Sequence, residues 1–174
     1  FKLDPQKVSY KQASLEDVDL IVDSFGVPAE LERNFKDIAP FDPLVCKRYL
    51  KGILQRGQGV ILIATYSVGS LRDILLGTLV LGPFGFWWTS GGSPMFTNTF
   101  FYVHPQARII GVPQRLLEIA EDFVEAVKGI LVLSIFDGDP SGKSLGIFGR
   151  LVRRRGYVPF ALALRKRSLK TDGR

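Results

Sequence analysis

An arginine, a glycine and a proline precede a long amphipathic segment in the middle of the chain, with a spacing suited to binding an anion. Apolar residues at intervals of three and four predict the helix, namely Leu116, Leu117, Ala120, Phe123, Val124 and Val127. Pro113 fits its first turn, where a missing N–H costs little. The loop from Gln106 to Val112 then presents backbone amides at the positive end of the helix dipole. Arg108 adds a charge and Gly111 has no Cβ to hinder a phosphate, so the pattern predicts a phosphate site.

The segment before this loop predicts a strand, and the combined segment resembles a known motif. Thr99 to Val103 is β-branched and aromatic, and Pro105 ends it. Residues 103–117, Val-His-Pro-Gln-Ala-Arg-Ile-Ile-Gly-Val-Pro-Gln-Arg-Leu-Leu, resemble motif A of the GCN5-related N-acetyltransferases (GNAT), V-x-P-x-x-R/Q-x-x-G-x-G/A-x-x-L-L. The core of the motif alone also fits a strand-loop-helix connection that binds nothing, but the flanking Val-x-Pro and Leu-Leu favour the family. Pro113 departs from the pattern and removes one amide donor.

The resemblance implies a cofactor, acetyl-coenzyme A, and the residues that would hold it. In the family, the loop amides bind the pyrophosphate, and the backbone of the preceding strand faces the pantetheine and the thioester. The implied cofactor-binding residues are Phe101, Tyr102, Val103, Arg108, Ile109, Ile110, Gly111, Val112, Pro113 and Gln114.

Groups that could manage the proton of an amine acceptor are not clearly marked. Asp137 and Ser134 are the candidates, because they lie at the end of a strand predicted at Ile130–Phe136, an apolar run suited to a strand buried on both faces. A strand-end aspartate that caps a turn is the alternative reading. His104 fits a surface residue at a strand end better than a general base. We predict no metal site.

Two positions depart from the family near the end of the chain. Many members carry a tyrosine four residues before a glycine-aromatic pair, where it acts as an acid toward the leaving thiolate. This chain has Gly156-Tyr157 as the pair and Val152 at the tyrosine position. An asparagine that commonly contacts the cofactor is replaced by Ser144 or Leu145. Direct transfer would then depend on water chains and proximity.

The other elements are predicted in the order typical of GNAT domains. They are a strand at 7–12, a capping box from Ser14 to Asp17 opening a helix to Phe25, short helices near 29–35 and 43–54, a hairpin of strands 60–67 and 74–81, a helix at 145–155 and a final hairpin around 160–164. Between the hairpin and the motif, Phe84, Phe86, Trp87 and Trp88 either fill the core or line an acceptor pocket. Residues 137–144 resemble a nucleotide-binding loop, but Asp137 stands where that pattern needs glycine, so we interpret them as a turn.

Composition restricts the class of protein further. The 174 residues are 46% hydrophobic and fit one domain with a sizeable core. No apolar run is long enough to span a bilayer, and residues 1–10 do not resemble a signal peptide. Cys46 is the only cysteine, which excludes an internal disulfide and predicts a buried hydrophobe in a reducing, cytoplasmic setting. The net charge of +6 is concentrated toward the C-terminus, without the interleaved aromatics that stack on bases.

These observations predict a single α+β, three-layer GNAT domain spanning 1–174, with a basic tail at about 168–174. Its mixed, mostly antiparallel sheet should contain six to seven strands flanked by about four helices. The favoured function is an acetyl-coenzyme A dependent N-acetyltransferase acting on an amine of a small molecule or protein. A catalytically silent GNAT-fold binding protein and a basic nucleic-acid module are the alternatives, and a homodimer or protein partner is left open. The aromatic segment followed by Tyr102-Val-His-Pro also resembles acetyltransferase-like proteins of tailed bacteriophages.

Overall fold

The structure, a computed structural model, describes residues 3–24, 41–67, 73–85, 92–134 and 143–157. For residues 143–148 it describes the backbone alone. The described residues form five strands: β1 (Val8–Gln12), β2 (Val60–Tyr66), β3 (Ile74–Phe84), β4 (Met95–Val103) and β5 (Ile130–Val132). They also form five helical segments: α1 (residues 18–24), α2 (Pro43–Arg56), α3 (Pro105–Arg108), α4 (Val112–Ala126) and α5 (Lys143–Arg154).

The strands form one sheet in the order β1-β2-β3-β4-β5. The pairs from β1 to β4 are antiparallel, whereas β4 and β5 are parallel. All residues of β2 are buried, since helices cover both faces of the sheet at this strand. The architecture is therefore the predicted α+β arrangement in three layers.

Two apolar clusters fill the spaces between the layers. On the first face, alternate residues of β2 such as Val60 and Leu62 pack with Leu116, Leu117 and Ala120 of α4. On the second face, the intervening residues pack with α1 and α2, and this cluster includes Val18, Ile21, Leu50, Ile53, Ile61, Ile63 and Val80. The period of two in the strands and the period near 3.6 in the helices thus select which residues meet.

Several local predictions are confirmed. The hairpin of β2 and β3, the edge position of β1 and the start of α2 at Pro43 are as expected. At the start of α1, the Asp17 carboxylate accepts hydrogen bonds from Ser14 N at 2.8 Å and Ser14 Oγ at 3.1 Å. A short 3-10 turn, Leu15–Asp17, precedes the helix. Most of the predicted stripe of α4 is buried, but Val127 is 41% exposed because it follows the last residue of the helix.

Other predictions need correction. β4 begins at Met95 instead of Thr99, since Phe96 and Thr97 pair with both neighbouring strands. The prediction that the strand beginning at Ile130 is buried on both faces is wrong: Ile130 is 49% exposed, because β5 ends the sheet in the described part of the chain. Six to seven strands are not confirmed, since five are described. The helix predicted near 29–35, the aromatic residues 86–88, the hairpin around 160–164 and the tail at 168–174 lie outside the described residues.

Candidate functional site

The two parallel strands separate partway along β4. Met95, Phe96 and Thr97 pair with Ile130, Leu131 and Val132, and this ladder ends there in the described residues. β4 continues through residues 98–103, where its recorded ladder is with β3. The pairing of β4 with β5 in the described residues therefore stops after Thr97, and we call this point the fork.

Asn98 holds the fork together. Its Nδ2 donates to Ser134 O at 2.9 Å, and its Oδ1 accepts from Ser134 N at 2.6 Å. The side chain is thus a substitute for one further rung of the ladder, and it is 6% exposed. Asparagine is disfavoured in strands, so its presence between Thr97 and Thr99 was the available signal, although our sequence reasoning missed its role.

The candidate catalytic residue Ser134 lies at this fork. Both of its backbone groups are bonded to Asn98, and its Oγ is 3.2 Å from Thr97 Oγ1. The structure therefore shows a positioning contact for Ser134, and a catalytic role stays a prediction. The other candidate, Asp137, lies outside the described residues.

A bulge next to the fork reverses the faces of β4. Val80 opposes Phe100, whereas Leu81 opposes Asn98, so Thr99 is the extra residue. As a result Phe101 packs on the first face, as Phe96 does, while Phe100 packs on the second. Val103 and Tyr102 continue this alternation and are both buried. The side chains of the predicted strand residues 101–103 thus support the two cores.

The turn after β4 is a single helical turn instead of the irregular loop that we predicted. His104 N donates to Leu76 O at 2.8 Å, and α3 follows immediately. Arg108 Nε donates to Val103 O at 2.8 Å, and its guanidinium carbon lies 6.0 Å from the centroid of the Tyr102 ring. These contacts hold the arginine charge beside the parted end of β4.

Gly111 begins α4 in a left-handed conformation, with φ of 86° and ψ of 9°. A Cβ added there would meet no atom within 4 Å, so the requirement for glycine comes from backbone conformation and not from space. Arg115 N donates to Gly111 O at 3.1 Å as the first bond of the helix. The amides of Val112 and Gln114 precede that bond, Pro113 has none, and the N-cap residue Gly111 has no side chain to accept from them.

The ends of this segment differ sharply in exposure. Val112 and Ala107 are fully buried and fix the segment to the first face of the sheet. Between them, Ile109 is 88% exposed, and Ile110 is half-buried. The implied cofactor-binding residues after β4 therefore form one ledge, with an uncapped helix N-terminus, the arginine and an exposed apolar side chain. Such a ledge suits an anion attached to a less polar group.

At the other end of α4, a charged network joins this helix to the residues after α5. Arg155 donates to both carboxylate oxygens of Glu121, through Nε at 3.0 Å and through Nη2, and Tyr157 donates its hydroxyl to Glu121 at 2.9 Å. The hydrogen bonds from Arg155 lower the pKa of Glu121, whereas burial and the bond to Glu121 raise the pKa of Tyr157. Gly156, with φ of 85°, ends α5 as predicted, and the network itself was not foreseen.

The family departure at Val152 has a clear structural meaning. This side chain is 7% exposed, so the position packs in the interior. His104 lies half-buried at the end of β4, as its surface interpretation predicted. Cys46 packs beside the second cluster, and burial raises the pKa of its thiol, which disfavours a nucleophilic role.

The described residues form neither a metal-ligating cluster nor a membrane-spanning helix. No group of three or more histidine, cysteine, aspartate or glutamate side chains in those ranges is arranged to ligate a metal ion. In the same ranges, no helix combines the length and the apolar character needed to cross a bilayer.

No family model matches the sequence, and no curated protein matches it either. Solved structures do match the fold. A predicted acetyltransferase with acetyl-CoA from Clostridium acetobutylicum is similar with a TM-score of 0.65 and 16% identity, over 92% of this chain and 96% of the other. An aminoglycoside 6′-N-acetyltransferase from Acinetobacter baumannii matches with a TM-score of 0.65 and 12% identity, over 93% and 99%. A GNAT family acetyltransferase from Staphylococcus aureus matches with a TM-score of 0.59 and 15% identity, over 93% and 99%. At such identities the likeness establishes the GNAT fold.

Proposed function

We propose that the protein is an N-acetyltransferase that binds acetyl-coenzyme A at the fork and on the ledge at the start of α4. The observation that carries this proposal is that the described β4–β5 ladder ends shortly before the open N-terminus of α4. The ladder stops at Thr97, and the N-cap residue Gly111 follows within the same segment. Acetyl-coenzyme A has the matching order of groups, with amides in its pantetheine arm and a diphosphate beyond them.

The ledge fits the diphosphate. The amides of Gly111, Val112 and Gln114 lie at the positive end of α4, and Arg108 is held nearby by Val103 O. The missing N–H of Pro113 removes one donor, so the ledge has fewer amides than the family pattern. Ile109, the exposed side chain on the ledge, would cover the apolar part of the ligand.

The fork fits the pantetheine arm and the thioester. The described ladder with β5 stops at Thr97, and Asn98 bonds to Ser134 just beyond it, so the pantetheine arm would lie along β4 from this point. The bound thioester supplies an activated acetyl group: the amine nitrogen forms the new C–N bond, the C–S bond breaks, and a thiol is released. The protein would orient this reaction by fixing the donor, since proximity alone lowers the barrier considerably. Ser134 and Asp137 remain the proposed candidates for handling the proton.

A second candidate is cofactor binding without transfer, and the buried Val152 specifically favours it. The family places an acid for the leaving thiolate at this position, whereas this chain has an apolar side chain in the interior. The neighbours' substrates are not informative for this chain. A bacteriophage setting and a cytoplasmic location also stay predictions.

The test is calorimetric titration of the protein with coenzyme A, acetyl-coenzyme A and pantetheine. We expect both coenzymes to bind, and pantetheine to bind far more weakly because it lacks the diphosphate. Absence of heat with about 100 μM coenzyme A, a concentration that detects micromolar affinity, would eliminate the proposal. Binding of coenzyme A without thiol release from acetyl-coenzyme A over a panel of amines would favour the second candidate.

A further inference from the structure

A shallow groove follows the exposed side of α2, and its lining is basic. Its volume is about 540 Å³, within the range of small-molecule sites. The lining includes Arg48, Tyr49, Lys51, Gly52, Gln55 and Arg56, and none of the described lining residues is acidic. A groove of this kind attracts an anion of modest size.

Most of the positive charge of the groove is unpaired within the described part of the chain. Lys47, which does not line the groove, pairs with Asp19 at 2.8 Å, and Asp19 also interacts electrostatically with Lys51. No ion pair is recorded for Arg48 or Arg56 with a described residue. Arg48 and Lys51 lie three residues apart on this helix, where like charges repel each other, so a bound anion would reduce the repulsion.

Two glycines have side chains of the groove as close neighbours. A Cβ on Gly52 would lie 3.0 Å from Arg56 Nη2, so this guanidinium folds back over the helix surface. A Cβ on Gly82 would lie 3.5 Å from the Tyr49 hydroxyl and 3.2 Å from Thr99 Cγ2. Tyr49 therefore extends from the groove to the bulge of β4, beside the fork.

The groove and the ledge lie on opposite faces of the sheet. α2 packs on the second face through Leu50 and Ile53, whereas α4 packs on the first through Leu116 and Leu117. The parted end of β4 lies between them. A ligand in the groove would thus approach the fork from the side that the ledge does not occupy.

From this placement we propose that the groove binds an acidic group of the acceptor, so that the acceptor is a small amine carrying a carboxylate or a phosphate. The inference rests on the proposed transferase function for the amine and on the groove itself for the acid. A polycationic amine is disfavoured, because the three cations of the groove repel it.

The test compares matched amines in a thiol-release assay with acetyl-coenzyme A. The pairs are O-phosphoethanolamine against ethanolamine and β-alanine against its amide, and spermidine is the cationic arm. We expect kcat/KM for the better anionic member to exceed that of its neutral partner at least tenfold, with the difference reduced by added salt. Comparison of the two pairs distinguishes phosphate from carboxylate. Equal or higher activity with the neutral or cationic amines overturns the proposal.

Variants locate the effect on the groove. The double substitution Arg48→Gln with Arg56→Gln should remove the preference for the anionic amine and leave the affinity for coenzyme A unchanged. Lys47→Gln is the matched control, because it removes one positive charge from the same helix outside the groove. A preference that survives the double substitution, or that is lost equally in the control, contradicts the assignment.

A binding measurement separates this inference from the proposed function. Titration of the isotope-labelled protein with O-phosphoethanolamine should shift the backbone amide resonances of Tyr49 and Gly52, with or without coenzyme A. If coenzyme A does not bind, the transferase proposal fails, and these shifts still show whether the groove binds O-phosphoethanolamine. Unshifted α2 resonances overturn the groove proposal even where coenzyme A binds.

Discussion

The N-termini of α2 and α4 have similar residues but differ in whether the N-cap side chain satisfies the first amides. Each has a proline in its first turn. At α2, Asp42 Oδ1 accepts from Leu44 N at 2.9 Å and from Val45 N at 3.2 Å. At α4 the corresponding residue is Gly111, which has no side chain to offer.

The start of α2 therefore stabilises the helix through its cap, whereas the start of α4 is open to a ligand. The Asp42 carboxylate satisfies two amides and complements the helix dipole, so an external anion would gain little there. The start of α4 gives up that stabilisation, of the order of 1 kcal/mol. The cost is consistent with a surface kept open for a phosphate, and five substitutions test this comparison.

The largest effect should come from giving α4 the cap that α2 has. In Gly111→Asp, the new carboxylate would occupy the amides and repel a diphosphate, so we expect the affinity for coenzyme A to fall about a hundredfold, or about 2.7 kcal/mol. Gly111→Asn is the matched control, because it caps and tolerates φ of 86° without the charge. Calorimetric titration measures both. Equal affinities for the aspartate variant and the wild type would mean that the open amides do not bind the phosphates.

The second-largest effect should come from disrupting the fork, which belongs to the same proposed site as the ledge at α4. Asn98→Ala leaves Ser134 N and Ser134 O without their partners, so we expect the free energy of unfolding to fall by about 2 kcal/mol. Coenzyme A affinity should fall as well. Asn98→Asp is the control, since it keeps the acceptor for Ser134 N and loses the donor to Ser134 O. Urea unfolding gives the stability, and an unchanged value for Asn98→Ala would contradict the role of the fork.

A smaller effect is expected when α2 is made to resemble α4. Asp42→Ala removes the cap on Leu44 N and Val45 N and should destabilise the protein by about 1 kcal/mol. Coenzyme A affinity should stay within twofold of the wild type. Asp42→Asn should restore most of the stability. A large loss of cofactor affinity in Asp42→Ala would show that the two helix starts are not independent.

The smallest effect concerns the other end of α4. The bonds from Arg155 lower the pKa of Glu121 in the folded state below its ordinary value of 4.5. The ionised Glu121 therefore stabilises the folded state above pH 4.5, and this contribution is lost as the pH falls through the lowered pKa. Glu121→Gln should therefore cost up to about 1 kcal/mol at pH 7 and much less at pH 3. Thermal unfolding of both proteins across this range measures the difference. A difference in stability between the two proteins that grows as the pH falls would contradict this prediction.

Tyr157 contributes to the same network with the opposite dependence. Its pKa is raised above 10.0 by burial and by Glu121, so the neutral hydroxyl stabilises the folded state below pH 10. This contribution is lost as the pH rises above that value, because the tyrosine ionises first in the unfolded chain. Tyr157→Phe should remove the alkaline part of the stability profile and only reduce the acidic part, because Arg155 still lowers the pKa of Glu121.

The central strand-turn-helix segment was largely predictable from the residues. Its proline, its glycine and the apolar period of α4 act on the chain within a few residues, so their consequences are local. The same holds for the Ser14–Asp17 capping box and for the β2–β3 hairpin. The short turn α3 was missed, because four residues give too little periodicity to distinguish a helical turn from a loop.

The sequence also supports the class of ligand, but it does not specify how the site is assembled. Asn98 and Ser134 are 36 residues apart, and Glu121 and Arg155 are 34 apart. Tyr49 meets Gly82 only because α2 packs on that face of the sheet. Contacts of this kind depend on the packing of whole elements, to which each residue contributes a small part. Local chemistry therefore decided the open start of α4, and the tertiary structure decided that it lies beside a fork and across the sheet from a basic groove.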